Sequence, residues 1–290
     1  MTVSHQLEPF MPPQYTHGPN RIAPDSASPL AYAVAQQDRE TMQMVRDAIQ
    51  NQQVLLAFQP VVKSTGQQRP AFYEGLIRVL DKTGRIIPAG EFIGVIENTE
   101  LGRQIDCLAL GLGLKTLADV PGLRLSINMS ARSIGYQRWM DTLKRGLRTN
   151  PTIAERLIME ITESSAMLMP DIVCAFMSDL QHLGVTFALD DFGAGYTSFR
   201  YLKDFYFDIL KIDGQFIRGI HADPDNQVLT QALLTIAQQF DMFTVAEFVE
   251  TAEDAAFLQD LGIDCMQGYF FGAPTTRPNW VVANQERQAS

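Results

Sequence analysis

The 290-residue sequence has few cysteines, no long hydrophobic run and fewer basic than acidic residues. Its three cysteines, Cys107, Cys174 and Cys265, lie far apart and form no C-x-x-C pair, which argues against a disulfide framework and against a zinc site. No stretch reaches the roughly 18 apolar residues of a membrane-spanning helix, and the start lacks the basic and apolar regions of a secretory signal. We therefore expect no membrane span and a cytoplasmic location.

The charge balance limits the kinds of partner. The chain has 23 Lys and Arg against 33 Asp and Glu, a formal net charge of −10. A surface that binds DNA or RNA needs clustered basic residues to neutralise phosphates, so a nucleic-acid polymer is not an expected partner. A small phosphorylated ligand held through metal ions is compatible with this charge. The 46% apolar residues can build a core, which excludes general disorder.

The distribution of proline divides the chain. Six of the 15 prolines fall within the first thirty residues, among polar residues without apolar periodicity. This composition predicts a flexible tail over residues 1–37, with helical apolar spacing starting at about Asp38. One folded domain is then expected over residues 38–284, followed by a short C-terminal tail over residues 285–290.

Eight short apolar runs read as strands, and helical stretches lie between most of them. In chain order the runs are VLLAFQPVV, AFYEGLIRV, LRLSINMS, RLIMEITES, VTFALDDF, DILKID, FTVAEFVE and DCMQGYFF. One intervening helix has a clear start signal, Asp223 as N-cap and Pro224 in the first turn. Apolar strands must be covered by helices, so the alternation predicts an α/β fold of (β/α)-barrel type. A doubly wound open sheet is the alternative.

Polar residues inside these apolar runs point to a site. Each lies in or just after a different strand: Glu74, Asn128, Glu160, Asp190, Lys211, Glu247 and Gln267. A buried charge is costly unless it is paired or binds a metal. In a barrel, residues at the carboxyl ends of the strands converge on one mouth, where barrel enzymes build their active sites. The set therefore predicts a single site.

The neighbouring carboxylates Asp190 and Asp191 suggest metal chemistry. Both cannot point inward from a regular strand, so we expect Asp191 to lie at the strand end, before the turn at Gly193. Two carboxylates around one point suit two divalent cations about 3.5 to 4 Å apart. Because no His or Cys belongs to the set, its oxygen ligands favour Mg²⁺ or Mn²⁺ over zinc.

The order of motifs resembles the EAL-domain cyclic di-GMP phosphodiesterases over about residues 40 to 280. The matching segments are FQPVV, EGLIR, SINMSAR, MEITES, LDDFGAGYTSFRYL, LKIDGQFI, VAEFVE and MQGYFFGAP. The resemblance implies a single-domain, modified TIM-type (β/α)8 barrel that uses two metal ions. It also implies hydrolysis of one phosphodiester bond of cyclic di-GMP to give linear pGpG, and pairing of two chains as a homodimer.

The resemblance also implies a role for each site residue. The metal ligands would be Glu74, Asn128, Glu160 and Asp190 for one ion, with Asp190, Asp191 and Glu247 for the other. Lys211 would orient or deprotonate the attacking water, since a nearby dication disfavours its ammonium form. Gln267 would support the water network, and Glu163 would fix the loop after Asp191. The expected substrate-binding residues are Arg78, Gln59 and Leu76.

Two positions depart from the family pattern. Gly75 lies where the family usually has the alanine of its Glu-Ala-Leu motif. Phe248 lies where the family usually has a glycine, directly after the glutamate that corresponds to Glu247. If strand alternation continues to these points, both side chains face outward to the helical layer. We therefore expect Phe248 to be buried there, as a packing residue.

Two other functions remain open at this level. One is an inactive receptor that binds cyclic di-GMP and signals through a protein partner, which the complete ligand set argues against. The other is a barrel metal enzyme of the enolate-forming type, which Asn128 and the DDFGAGY segment argue against. The expected homodimer has weak support from an aromatic segment that a monomer would expose. Its members are Phe199, Tyr201, Leu202, Phe205, Tyr206 and Phe207.

Overall fold

The computed structural model describes residues 28–66, 69–194 and 202–280. Nine strands form one sheet in this part of the chain. They are β1 (Val54–Lys63), β2 (Pro70–Leu80), β3 (Ile86–Pro88), β4 (Leu125–Asn128), β5 (Leu157–Thr162), β6 (Thr186–Phe192), β7 (Ile209–Ile212), β8 (Phe243–Ala246) and β9 (Cys265–Gln267). All eight predicted strands are present, and the short β3 is an addition that no apolar run indicated.

The sheet closes into a barrel. Its strand order is β1-β9-β8-β7-β6-β5-β4-β2-β3, and β1 also pairs with β2, so eight strands form a ring with β3 outside it. Strand β1 runs antiparallel to both neighbours, whereas β2 and β4 to β9 run parallel. The predicted α/β barrel of the modified TIM type is confirmed, and the open-sheet alternative is wrong because β1 bridges the two ends.

Helices surround the ring. Those of the described residues are α1 (Pro29–Gln50), α2 (Ile93–Ile96), α3 (Glu100–Asp119), α4 (Gln137–Thr149), α5 (Glu163–Ala166), α6 (Pro170–Gln181), α7 (Gly214–Ile217), α8 (Pro224–Gln239) and α9 (Ala252–Leu261). The Asp223 side chain caps α8 as predicted, accepting hydrogen bonds from the amides of Asp225 and Asn226. None of these helices is long and apolar enough to cross a membrane.

Helix α1 starts earlier than its apolar spacing indicated. It begins at Pro29 rather than near Asp38, and residues 29–37 are exposed. Only the later part of the helix has buried side chains, those of Val45 and Ala48. The expected start followed the first packed positions, because hydrophobic periodicity marks the buried face of a helix and not its exposed turns.

The floor of the barrel interior is apolar. It is a buried cluster of six side chains, Val61, Phe72, Ile158, Ala188, Ile209 and Val245. Successive side chains of a strand alternate between the two faces, so the residue two positions further along a strand also points inward. On four strands, and directly after the end of β8, that next residue is a charged member of the predicted site. The floor therefore supports the site from below.

Gly75 faces outward, as predicted. A Cβ atom there would lie 2.7 Å from Cδ1 of Ile127, and a Cβ at Gly113 of α3 would meet the same atom at 2.7 Å. Ile127 thus fills the space that two glycines leave between the barrel and α3.

Candidate active site

Lys211 stands at the centre of a ring of carboxylates at the mouth of the barrel. Its Nζ atom lies 2.8 Å from oxygens of Glu160, Asp190 and Glu247 and 3.6 Å from Oε2 of Glu74. The lysine is 1% exposed, and all four carboxylates are buried. Parallel strands end at one edge of a barrel, which brings residues of β2, β5, β6, β7 and the end of β8 to one point.

Amide side chains complete the ring on the side of Glu74. Asn128 donates from Nδ2 to Oε1 of Glu74 at 2.7 Å, and Gln267 donates from Nε2 to Oε2 of Glu74 at 2.6 Å. The Gln267 amide also reaches Oε1 of Gln59 at 3.1 Å, and Gln59 donates to the carbonyl of Gly272. The structure therefore brings Gln59, Asn128 and Gln267 together with the charged residues.

The two neighbouring aspartates converge through an irregularity in β6. Asp191 has a φ of 54°, and the pairing of β6 with β7 shifts register between Leu189 and Phe192. Oxygens of Asp190, Asp191 and Glu247 lie within 4.8 Å of one another. Asp191 lies at the strand end, as expected, since β6 ends at Phe192. Its left-handed backbone turns the second carboxylate toward the first.

Burial and mutual repulsion change the acidity of these groups. Burial, with the charge of Asp190, raises the pKa of Asp191 to about 6 and that of Glu247 to about 8. Burial and the neighbouring Glu74 raise the pKa of Glu160 well above its ordinary value. Burial opposes ionisation of Glu74 too, but Lys211 and the hydrogen bonds from Gln267 and Asn128 outweigh it and lower its pKa.

Lys211 is held in its charged form in this arrangement. Burial lowers its pKa, but the carboxylates around it, Asp190 foremost, raise the pKa well above its ordinary value. The effect of a dication on this lysine, which the sequence-based expectation assumed, stays a prediction for the metal-bound site.

The donor set fits divalent cations. Four carboxylates face a single ammonium group, so the buried site carries more negative than positive charge once the four carboxylates are ionised. Two of its buried oxygens, Oε1 of Glu160 and Oε1 of Gln267, accept no hydrogen bond from the described residues. Buried acceptors of this kind require a partner, and hard cations bind carboxylate and amide oxygens. The residues that could hold two ions are those predicted: Glu74, Asn128, Glu160, Asp190, Asp191 and Glu247.

Glu163 touches the loop that follows β6. It begins α5, is buried, and accepts a hydrogen bond from the amide of Gly193 at 3.2 Å. Gly193 has a φ of 92°, and a Cβ there would lie 2.5 Å from the ring of Phe216, so only glycine fits. Glu163 therefore lies behind the ring of carboxylates, against the backbone two residues after Asp191.

Two of the three predicted substrate-binding residues lie further along β2, whereas the third, Gln59, lies on β1 beside Gln267. Leu76 and Arg78 share strand parity with Glu74, and both side chains are half-buried. Burial lowers the pKa of Arg78 from its usual value, opposed by the charge of Glu74. The guanidinium is close enough to Glu74 to be influenced by its charge, and its Nη1 atom donates to the carbonyl of Ile77 at 2.9 Å.

The prediction for Phe248 is wrong. Strand β8 ends at Ala246, and Phe248 adopts a left-handed backbone with a φ of 55°. Its side chain is 44% exposed and stacks under Arg218, whose Cζ atom lies 4.1 Å from the ring centroid. Strand alternation applies only to extended residues, so it could not be continued beyond β8. The left-handed conformation also explains why glycine is usual here in the family.

One residue that contacts the site region escaped the sequence reasoning. Asp106, a buried carboxylate in α3, hydrogen-bonds to the loop after Asn128. Its signal is a single acidic residue on the otherwise apolar buried face of α3.

Comparisons with known proteins identify relatives of this arrangement. A model of the EAL domain matches residues 42–274. The signaling protein YkoW of Bacillus subtilis is 32% identical over 252 residues, which are 84% of this chain and 31% of that protein. The cyclic di-GMP phosphodiesterase PdeF of Escherichia coli is 32% identical over 237 residues, 80% of this chain and 31% of that protein. The chain thus spans about a third of the length of these relatives.

Solved structures share the fold. The PaMucR phosphodiesterase in complex with c-di-GMP superposes with a TM-score of 0.71 at 28% identity, covering 84% of this chain and 99% of that one. The FimX EAL domain from Pseudomonas aeruginosa bound to c-di-GMP gives a TM-score of 0.72 at 26% identity, covering 82% and 97%. With the family model matching most of the chain, this protein belongs to the EAL domain family and is related to the cyclic di-GMP phosphodiesterases.

Proposed function

We propose that the chain is a metal-dependent phosphodiesterase that hydrolyses cyclic di-GMP to linear pGpG. The observation that carries the proposal is the buried ring of Glu74, Glu160, Asp190 and Glu247 around Lys211, with Asp191 beside it. A purely structural cluster with this excess of negative charge would oppose folding, whereas a two-metal site requires it.

The proposed ligand sets follow the two sides of the ring. Glu74, Asn128, Glu160 and Asp190 would hold one Mg²⁺ or Mn²⁺ ion, and Asp190, Asp191 and Glu247 would hold the other. When bound, such a pair of cations lowers the pKa of a water molecule and stabilises charge on the phosphate oxygens. Asp190 would belong to both sets, because it and Glu160 both contact Lys211 and its oxygens lie within 4.8 Å of those of Asp191 and Glu247.

The remaining residues would handle water and substrate. Lys211 donates hydrogen bonds in the centre of the ring, where it would orient the attacking water. Gln267, held by Glu74 and Gln59, would present its unpaired Oε1 atom to the same water network. Arg78 would bind a phosphate oxygen through its guanidinium, and Leu76 would contact the substrate beside it. Glu163 would keep the loop after Asp191 in place.

The test is incubation with cyclic di-GMP, followed by chromatography for pGpG. We expect product with Mg²⁺ or Mn²⁺ and suppression by Ca²⁺, which takes more ligands at longer distances than a compact pair of sites offers. Equal turnover with Ca²⁺ would contradict the two-metal assignment. A chain that binds cyclic di-GMP tightly but forms no pGpG with any of these ions is not the proposed enzyme.

Phe248 favours a second candidate, a receptor that binds cyclic di-GMP without hydrolysing it. The phenyl ring of Phe248 is exposed directly after Glu247, where it could narrow access to the second set of metal ligands. Binding measured by calorimetry without product in the assay above would establish the receptor. Restored turnover in Phe248→Gly would then assign the block to this ring.

We also propose a homodimer, on the basis of the family resemblance. The aromatic segment gives it little support, because Leu202, Phe205 and Phe207 are buried and Tyr206 alone of its described members is exposed, at 77%. Phe199 and Tyr201 lie outside the described residues. Light scattering at micromolar concentration tests the proposal, and a fully active monomer would remove the dimer from the mechanism.

A further inference from the structure

Asp106 connects helix α3 to the loop that begins just after Asn128. Its carboxylate is buried, with the residue 9% exposed. Oδ2 accepts one hydrogen bond from the amide of Ser130 at 3.1 Å and another from the hydroxyl of Ser133 at 2.6 Å. Ser130 is two residues from Asn128, so Asp106 holds the first turn of the chain after a proposed metal ligand.

The same loop is tied to the next one along the barrel. The amide of Ala131, beside Ser130, donates to Oγ of Ser165 in α5 at 2.8 Å. Glu163, at the start of α5, in turn accepts from the amide of Gly193. Hydrogen bonds therefore run behind the mouth from α3 to the loops after β4, β5 and β6.

Stability alone does not explain a carboxylate at position 106. Burial raises the pKa of Asp106 to about 6, so the ionised form is disfavoured by its surroundings. Its hydrogen-bond donors are a backbone amide and a hydroxyl, and none of the ion pairs among the described residues includes it. A buried charge held by neutral donors is costly, which points to a benefit elsewhere.

We infer that Asp106 is a positioning residue for the metal set that contains Asn128, an inference that rests on the proposed function. By fixing Ser130 and Ser133 it holds the end of β4, so that the Asn128 amide stays 2.7 Å from Glu74 and the amide oxygen stays available to a cation. Groups that orient metal ligands from behind typically affect metal affinity or activity by about 10- to 100-fold.

The experiment measures Mn²⁺ binding to the full chain by electron paramagnetic resonance, beside hydrolysis of cyclic di-GMP. Asp106→Ala removes both acceptor bonds and should weaken Mn²⁺ binding by about 10- to 100-fold, with turnover recovering as Mn²⁺ is raised. Asp106→Asn keeps an acceptor oxygen and should stay within about threefold of the wild type. Ser133→Ala removes one bond only and should give an intermediate loss.

Asp208→Ala is the matched control. Oδ2 of Asp208 accepts from the amide of Phe187 at 2.8 Å and from Nε2 of Gln181 at 3.2 Å, at the amino ends of β6 and β7, away from the mouth. Its loss removes the same number of hydrogen bonds. We expect a lower melting temperature with Mn²⁺ affinity unchanged.

Several outcomes separate the explanations. Equal Mn²⁺ affinity in wild type and Asp106→Ala would overturn the inference and leave Asp106 a structural residue. If Asp106→Ala does not fold, the test is the Mn²⁺ affinity of Ser133→Ala. An affinity equal to that of the wild type in this variant would overturn the inference. Wild-type protein that binds no Mn²⁺ overturns it as well. Wild-type protein that binds Mn²⁺ but forms no pGpG overturns only the proposed function, and the comparison of affinities still tests Asp106.

Discussion

The floor and the mouth of the barrel use the same strands and the same inward parity, but their chemistry is opposite. In four strands, and across the end of β8, an apolar floor residue is followed two positions later by a charged mouth residue. The pairs are Phe72 and Glu74, Ile158 and Glu160, Ala188 and Asp190, Ile209 and Lys211, and Val245 and Glu247. A step of two residues along each chain segment therefore leads from a side chain that packs in the core to one that belongs to the proposed active site.

The comparison shows where stability and function conflict. Apolar side chains removed from water stabilise the fold by about 25 cal/mol per Å². Carboxylates buried beside one another oppose folding, as the raised pKa values of Glu160 and Glu247 show. Burial of the floor residues thus offsets the free-energy cost of burying the carboxylates at the mouth. We therefore expect substitutions in the floor to change mainly stability, and substitutions at the mouth to change mainly activity.

The largest expected effect is at the mouth of β5. Glu160→Gln keeps the shape of the side chain but removes charge from a proposed metal ligand, so turnover should fall by at least about a hundredfold. The melting temperature without metal should stay the same or rise, because a buried carboxylate of raised pKa is replaced by a neutral group. Steady-state kinetics and calorimetry measure both. Residual turnover near the wild-type value would mean that the ligands are misassigned.

The floor residue of the same strand should behave in the opposite way. Ile158→Ala leaves a cavity under the site and should lower the free energy of unfolding by about 2 to 5 kcal/mol. Turnover per folded molecule should change much less than in Glu160→Gln, because Ile158 touches no reacting group. Urea unfolding together with active-site titration measures the two quantities. A joint collapse of stability and turnover would show that the layers are not independent.

The acidity of the mouth predicts how metal binding depends on pH. Asp191 and Glu247, with pKa values raised to about 6 and about 8, hold protons that a cation must displace. Mn²⁺ affinity should therefore rise by about tenfold or more as the pH is raised from about 6 to about 8, and binding should release protons. Raised carboxyl pKa values also mean that stability without metal falls as pH rises through this window. Calorimetry in buffers of different ionisation enthalpy measures the protons released, and pH-independent affinity would contradict the assignment.

A smaller effect is expected behind the mouth, at the outward-facing Gly75. In Gly75→Ala the new Cβ would lie 2.7 Å from Cδ1 of Ile127 and 3.2 Å from the carbonyl of Ser126. Overpacking should lower stability by about 1 kcal/mol or more. Ile127→Val removes the clashing atom, so the double variant should recover part of the loss. A double-mutant cycle with no coupling would show that the barrel wall adjusts elsewhere.

The smallest effect is expected at the exposed end of β8. Phe248→Gly relieves a left-handed backbone that costs a non-glycine residue about 1 to 2 kcal/mol, but it also loses the contact with Arg218. We expect an unchanged or slightly higher melting temperature. Phe243→Ala, at the other end of the same strand, is the control for loss of an exposed ring. A large loss of stability in Phe248→Gly alone would mean that the ring is packed.

Much of the fold and of the mouth follows from local patterns. Alternation of side chains along a strand is a property of the extended chain, so β5 alone places Ile158 and Glu160 on one face. Glu74, Lys211 and Gln267 were expected at one barrel mouth because each interrupts or follows an otherwise apolar strand, and alternation turned Gly75 outward. The composition of the set then limited the expected metals to Mg²⁺ or Mn²⁺, because ligand chemistry belongs to the residue types.

The tertiary structure decided the features that depend on contacts distant in sequence. The reversal of β1, the outer strand β3 and the bulge that turns Asp191 toward Asp190 all depend on pairing between strands. Phe248 was predicted wrongly because β8 ends at Ala246, before the position to which strand alternation was extended. Asp106 could not be assigned from its helix, since its partners Ser130 and Ser133 lie more than twenty residues away. Local periodicity determines which way a side chain points, whereas closure of the barrel determines what it meets.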